Sequence, residues 1–91
     1  MAKAKYSDYL SSDGYITLNK EDYNQAFNKT YTYLKIYNTR ADFKVYINNS
    51  SNYIEIEQGE IFELKDFAIN TLKIVPDVYS EVSRLQFILL D

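Results

Sequence analysis

The chain has 91 residues, a net charge of −3, 46% hydrophobic residues and no His, Cys or Trp, yet ten of its residues are tyrosine. This length supports one domain with a single modest core, and with only two Gly and one Pro the composition is that of a folded globule. The missing residue types exclude a side chain that titrates unperturbed near neutrality, a thiolate nucleophile, a disulfide and a zinc–thiolate site.

Residues 1–14 read as an amino-terminal arm without a strong core pattern, although Tyr6, Tyr9 and Leu10 give it something to bury. The opening Met-Ala-Lys-Ala-Lys leads into polar residues rather than an apolar leader. No apolar run in the chain approaches the ~20 residues of a membrane span. Residues 15–91 read as one domain. Residues 15–18 form a short strand, and Asn19 caps a short helix in which Tyr23, Ala26 and Phe27 fall at helical spacing.

Strand signals dominate from residue 31. In residues 31–37, Leu34 and Ile36 face inward, with Tyr31, Tyr33 and Tyr37 on the opposite face. After a polar turn at 38–42, residues 43–48 place Phe43, Val45 and Ile47 inward and Tyr46 outward. Residues 48–52, Asn-Asn-Ser-Ser-Asn, are a loop of short side chains that bond to local backbone. Residues 53–57 alternate again, with Ile54 and Ile56 inward and Tyr53 outward.

A turn ending in Gly59 follows. A two-residue loop there would set Glu57 opposite Glu60, whereas a three-residue loop with left-handed Gly59 predicts Ile54 opposite Phe62. Residues 65–70 read as a connection anchored by Phe67 and Ile69. Residues 71–75 resume as a strand with Leu72 and Ile74 inward, and Pro76-Asp77 ends it. Residues 84–90 alternate and then become continuously apolar, as expected for a strand buried on both faces or covered by a partner.

About seven short strands with almost no helix predict an all-β fold: a small antiparallel β-sandwich, jelly-roll or Ig-like, with an extended arm. The expected core is Leu34, Ile36, Val45, Ile47, Ile54, Ile56, Phe62, Leu72, Ile74 and Phe87. Tyr31, Tyr33, Tyr37, Tyr46 and Tyr53 then form an outward face, joined by Tyr6, Tyr9 and Leu10 of the arm as the candidate partner interface. Tyrosine supplies rigid, amphipathic contact area of the kind enriched at interfaces.

Other chemistries have weaker patterns. Glu55, Glu57, Glu60 and Glu63 lie within nine residues, but no Asp-rich loop with fixed ligand spacing accompanies them, so they read as a solvated face with no metal. No cofactor motif or catalytic constellation is present, and the expectation is a protein that is not an enzyme. Residues 1–50 carry seven Lys/Arg against five Asp/Glu, and residues 51–91 carry three against eight. That mild dipole contains no basic stripe of the kind nucleic-acid binding needs.

The stretches 45–50 (Val-Tyr-Ile-Asn-Asn-Ser), 54–64 (Ile-Glu-Ile-Glu-Gln-Gly-Glu-Ile-Phe-Glu-Leu) and 72–75 (Leu-Lys-Ile-Val) resemble small virion proteins of tailed bacteriophages. Head-decoration and head-fibre-base β-sandwiches share this order of polar loop, strand, Gly-Glu turn and Ile-rich strand. The resemblance covers about half the chain and carries over no functional residue. It implies a structural protein of the virion, made in a bacterial host cytoplasm. Such a protein binds capsid or other virion proteins, self-associates, and binds neither nucleic acid nor membrane. Two alternatives come from the residues themselves. One is a small carbohydrate-binding module stacking sugars on exposed tyrosines, against which the lack of Trp counts. The other is an acidic inhibitor, for which −3 is a weak charge.

Overall fold

Alternating apolar and polar residues become strands throughout the computed structural model, which describes residues 8–91. Seven strands follow in chain order: β1 (Tyr9–Ser11), β2 (Ile16–Thr17), β3 (Tyr23–Tyr37), β4 (Phe43–Ile47), β5 (Ile54–Ile56), β6 (Phe62–Pro76) and β7 (Arg84–Leu90). Every pairing is antiparallel, in the order β1-β7-β3-β6-β4-β5, with β2 also on β7. No helix occurs among the described residues. The all-β expectation holds.

The long strands β3 and β6 are the frame. They pair from Tyr23 opposite Ile74 to Ile36 opposite Phe62, with register shifts between Ala26 and Tyr31 and again between Tyr31 and Tyr33. Asp66 in β6 has a φ of 55°. Extra residues at such points bend a strand and let it turn a corner between layers. On one side of the bend, β3 also pairs with β7; on the other, β6 also pairs with β4. Leu34, Ile36, Leu85, Phe87 and Leu89 from the first half meet Phe43, Val45, Ile56, Leu72 and Ile74 from the second in one buried cluster. The smallest extent of the fold is 19 Å, which suits two β layers about 10 Å apart.

The expected helix after Asn19 is instead the start of β3. Tyr23 and Phe27 are four apart, a spacing that fits one face of a helix and equally one face of a strand. A short helix would lack stabilising packing, whereas Tyr23–Ala26 gains the backbone partners Ile74–Thr71. The expected connection at 65–70 is likewise strand, inside β6. Its anchor Ile69 is fully buried, and Phe67 is left exposed.

Gly59 has the expected positive φ, 85°, in a turn closed by Glu60 N–H donating to Glu57 O at 3.0 Å. The flanking strands, however, do not pair with each other. Ile54 lies opposite Val45, and Phe62 lies opposite Ile36. The turn is held from outside: Gly59 N–H donates to Thr39 Oγ1 at 2.8 Å, and Gln58 N–H to Asp42 Oδ1 at 2.8 Å. It therefore carries the chain from one half of the sheet to the other. Ile54, expected in the core, sits at its margin, 38% exposed. The other nine expected core residues are buried or packed against the core.

Part of the expected arm belongs to the sheet. Tyr9–Ser11 lies opposite Leu90–Ile88, and Leu10 packs against the core. Lys29 Nζ ties its start to the end of β7, 3.2 Å from Asp8 and 3.0 Å from Asp91. These two hydrogen bonds, that to Asp91 first, raise the Lys29 pKa.

Candidate functional site

The eight residues expected at an interface are distributed among several environments. Tyr6 lies outside the described residues. Leu10 points to the core. Tyr31 is only 6% exposed and meets Phe27 edge-on, with ring centroids 5.3 Å apart; it is a core residue, not an outward one. The reason is the bend. Before it, the odd-numbered Tyr23, Phe27 and Tyr31 face inward; after it, the even-numbered Leu34 and Ile36 do. Strict alternation from Leu34 back to Tyr31 misses that change of phase.

The remaining tyrosines make two patches on different halves of the sheet. The first lies on β1, β7 and the second half of β3. Tyr9, Leu90 and Tyr33 are opposite one another in a row across three strands, and Ser11, Ile88 and Lys35 form the next row. Because Leu85, Phe87 and Leu89 point into the core, Ile88 and Leu90 must point outward beside Tyr33 and Tyr37. Tyr9 is 64% exposed. The Tyr33 hydroxyl hydrogen-bonds Glu63, and Lys35 Nζ lies 5.6 Å from the Tyr37 ring. The Tyr33 hydrogen bond, followed by the charges of Lys65 and Lys35, holds the Glu63 carboxyl below its ordinary pKa. The pattern of tyrosines does not reach Ile88 and Leu90; their signal in the sequence is the continuous apolar run of residues 87–90.

The second patch is on β4 and the loop that leads into β5. Tyr46 and Tyr53 have ring centroids 5.6 Å apart, with Lys73 Nζ 5.5 Å from the Tyr46 ring and Lys44 Nζ 4.9 Å from the Tyr53 ring. Beside it a polar hollow of about 350 Å³ is lined by Asn24, Tyr46, Asn49, Thr71 and Lys73, among others. The Tyr46 ring already has two neighbours there, which limits its use as a platform for a sugar. Around the corner, Val45, Ile47, Tyr53, Ile54, Leu64 and Phe67 line an apolar cleft of about 240 Å³.

The acidic residues do not converge. Glu60 Oε1 accepts a hydrogen bond from Glu57 N–H at 2.7 Å; Glu63 is held by Tyr33 and by Lys65 Nζ at 3.4 Å. Among the described residues no group of three or more acidic side chains is placed to hold a metal ion. No helix among them is long and apolar enough to cross a membrane. No family model, curated protein or solved structure matches the chain.

Proposed function

We propose that this chain is a non-enzymatic structural component of a tailed-phage virion, a capsid-decoration, head-fibre or head–tail accessory protein that works by docking on other virion proteins. The observation that carries the docking is the outer face of β1, β7 and β3. Tyr9, Tyr33, Tyr37, Ile88 and Leu90 share it, and the aliphatic pair stands on the face turned away from the core. A lone exposed apolar residue means little, but aromatic anchors grouped with aliphatic ones are the usual centre of a protein interface. The virion setting rests on the resemblance in turn order across residues 45–75, and self-association of the docked protein is part of the same proposal.

Co-sedimentation with capsids or tails tests it, comparing the unmodified chain with Tyr33→Ala, Tyr37→Ala and the control Tyr53→Ala. The first two substitutions should each weaken binding by about tenfold or more, and the third should leave it unchanged. Equal binding by all four would remove the outer face from the account. Tight binding of purified glycans, lost in Tyr46→Ala, would favour the carbohydrate-binding alternative.

A further inference from the structure

The chain contains two arginines, Arg40 and Arg84, and the fold brings both to one tyrosine. Arg84 Cζ lies 4.8 Å from the centre of the Tyr15 ring and Arg40 Cζ lies 6.0 Å from it. Arg40 Nη2 is also 3.4 Å from the Tyr15 hydroxyl. The backbone fixes the pair: Arg40 N–H donates to Arg84 O at 2.8 Å, and Arg84 stands opposite Thr17, two residues past Tyr15. Tyr15 itself is 40% exposed and follows Asp13 and Gly14, both with positive φ, which turn the chain from β1 into β2.

Three features set this cluster apart from an ordinary charged surface. Thirteen carboxylate residues are available in the chain, yet among the described residues neither arginine forms an ion pair; Lys29 and Lys65 take the ones that exist. Two guanidinium groups around one ring repel each other, a cost that a bound anion would remove. Arg84 Nε is buried and has no hydrogen-bond partner, the one buried side-chain polar atom in that condition among the described residues. An unmet buried donor costs free energy; Arg84 Nε is closed to solvent, so the edge that the guanidinium offers an oxyanion is its outer pair of Nη groups. Stacking on an aromatic ring leaves that edge free.

We infer that Tyr15, Arg40 and Arg84 form an oxyanion site whose occupant is a carboxylate of the docked partner. The geometry favours a single carboxylate over a nucleic-acid backbone. Two cations on a chain of net charge −3 make one charged point and no track for successive phosphates. Arg84 precedes Gln86, Ile88 and Leu90 at alternate positions of β7, so the site continues the outer face that carries Tyr33 and Tyr37. An acidic side chain there would fix the orientation of a partner whose apolar residues cover Ile88 and Leu90. The oxyanion site stands by itself; the identity of its occupant rests on the proposed docking.

Having only two arginines makes the test direct. In the ¹⁵N-labelled full chain each arginine gives one Nε–H signal, assigned by its loss in Arg40→Lys or Arg84→Lys. Titration with inorganic phosphate should move both signals along one binding curve, while sodium chloride at matched ionic strength leaves them in place. Tyr15→Leu, with the rest of the spectrum retained, should weaken phosphate by about tenfold. A short peptide carrying Asp and Glu among apolar residues should move the same two signals, together with the backbone amides of Tyr37 and Gln86. Signals that respond to chloride as they do to phosphate, or movement of one arginine alone, would overturn the site. Phosphate binding without any response to the peptide would overturn the carboxylate assignment and leave a site for free phosphate. Loss of capsid binding in Tyr33→Ala with an unchanged phosphate titration separates the docking face from the oxyanion site.

Discussion

Replacing Tyr31 with alanine separates stability from docking more sharply than any other single change. Strict alternation would place this ring outward with Tyr33, and the fold instead buries it to 6% exposure against Phe27, with Lys29 Nζ 5.8 Å from the ring centroid. A buried aromatic side chain removes about 150–250 Å² from water. At about 25 cal/mol per Å² that burial is worth roughly 4–6 kcal/mol, an upper value because the unfolded chain is already partly compact. Truncations of buried aromatic residues cost about 3–5 kcal/mol. With a urea slope of about 1 kcal/mol/M for a chain of this size, the unfolding midpoint should fall by about 3–5 M. Tyr53→Ala, removing a ring that is 49% exposed, should change stability by less than about 1 kcal/mol. Equilibrium urea unfolding followed by circular dichroism measures both. A Tyr31→Ala midpoint within about 0.5 M of the unmodified chain would refute the change of inward phase at the bend of β3.

Gly59→Ala should destabilise the turn by about 1 kcal/mol, because its φ of 85° strains any residue with a Cβ although no neighbour would clash; thermal unfolding reads the shift, and an unchanged midpoint contradicts it. Thr39→Val removes the hydroxyl that accepts from Gly59 N–H and donates to Glu57 O, and should cost about 1 kcal/mol, the net worth of such bonds, because Gly59 N–H keeps Thr39 O and Glu57 O keeps Glu60 N–H; an unchanged midpoint would mean that the hydroxyl does not hold the turn. Glu63 has a lowered pKa in the fold, so its contribution is present above the ordinary carboxylate value and is lost as pH falls through the lowered one. The stability difference between the unmodified chain and Tyr33→Phe should therefore narrow as pH is taken from about 6 to about 2, and a difference that widens with acid would reverse the assignment.

Strand positions were legible wherever a strand stays in one layer. Leu34 and Ile36, Phe43 and Val45, and Leu72 and Ile74 keep one phase over their whole pairing, so period-two alternation identifies their inner face. It fails where β3 and β6 change layers. The shift near Tyr31 is produced by extra residues whose position depends on the partner strand, and nothing local in Phe-Asn-Lys-Thr-Tyr announces it. Gly59 was legible as a left-handed position because glycine alone occupies it without strain. Its strands were mispaired because a hairpin is the simplest reading of strand–turn–strand, while Thr39 and Asp42, some twenty residues earlier, dock the turn elsewhere. The outer face was half legible: Tyr33 and Tyr37 follow from alternation, but Tyr9 joins them only through the pairing of β1 with β7. The meeting of Tyr15, Arg40 and Arg84 spans nearly seventy residues and has no local signature.

Quantitative mass spectrometry of purified, DNA-filled particles made from the genome that encodes this chain measures whether it is a component of the virion. The chain should be present in the particles at a fixed copy number per particle, retained through density-gradient purification and sharply reduced when Tyr33 and Tyr37 are both replaced by alanine. Its presence in the lysate together with its absence from the purified particles would rule out a virion role.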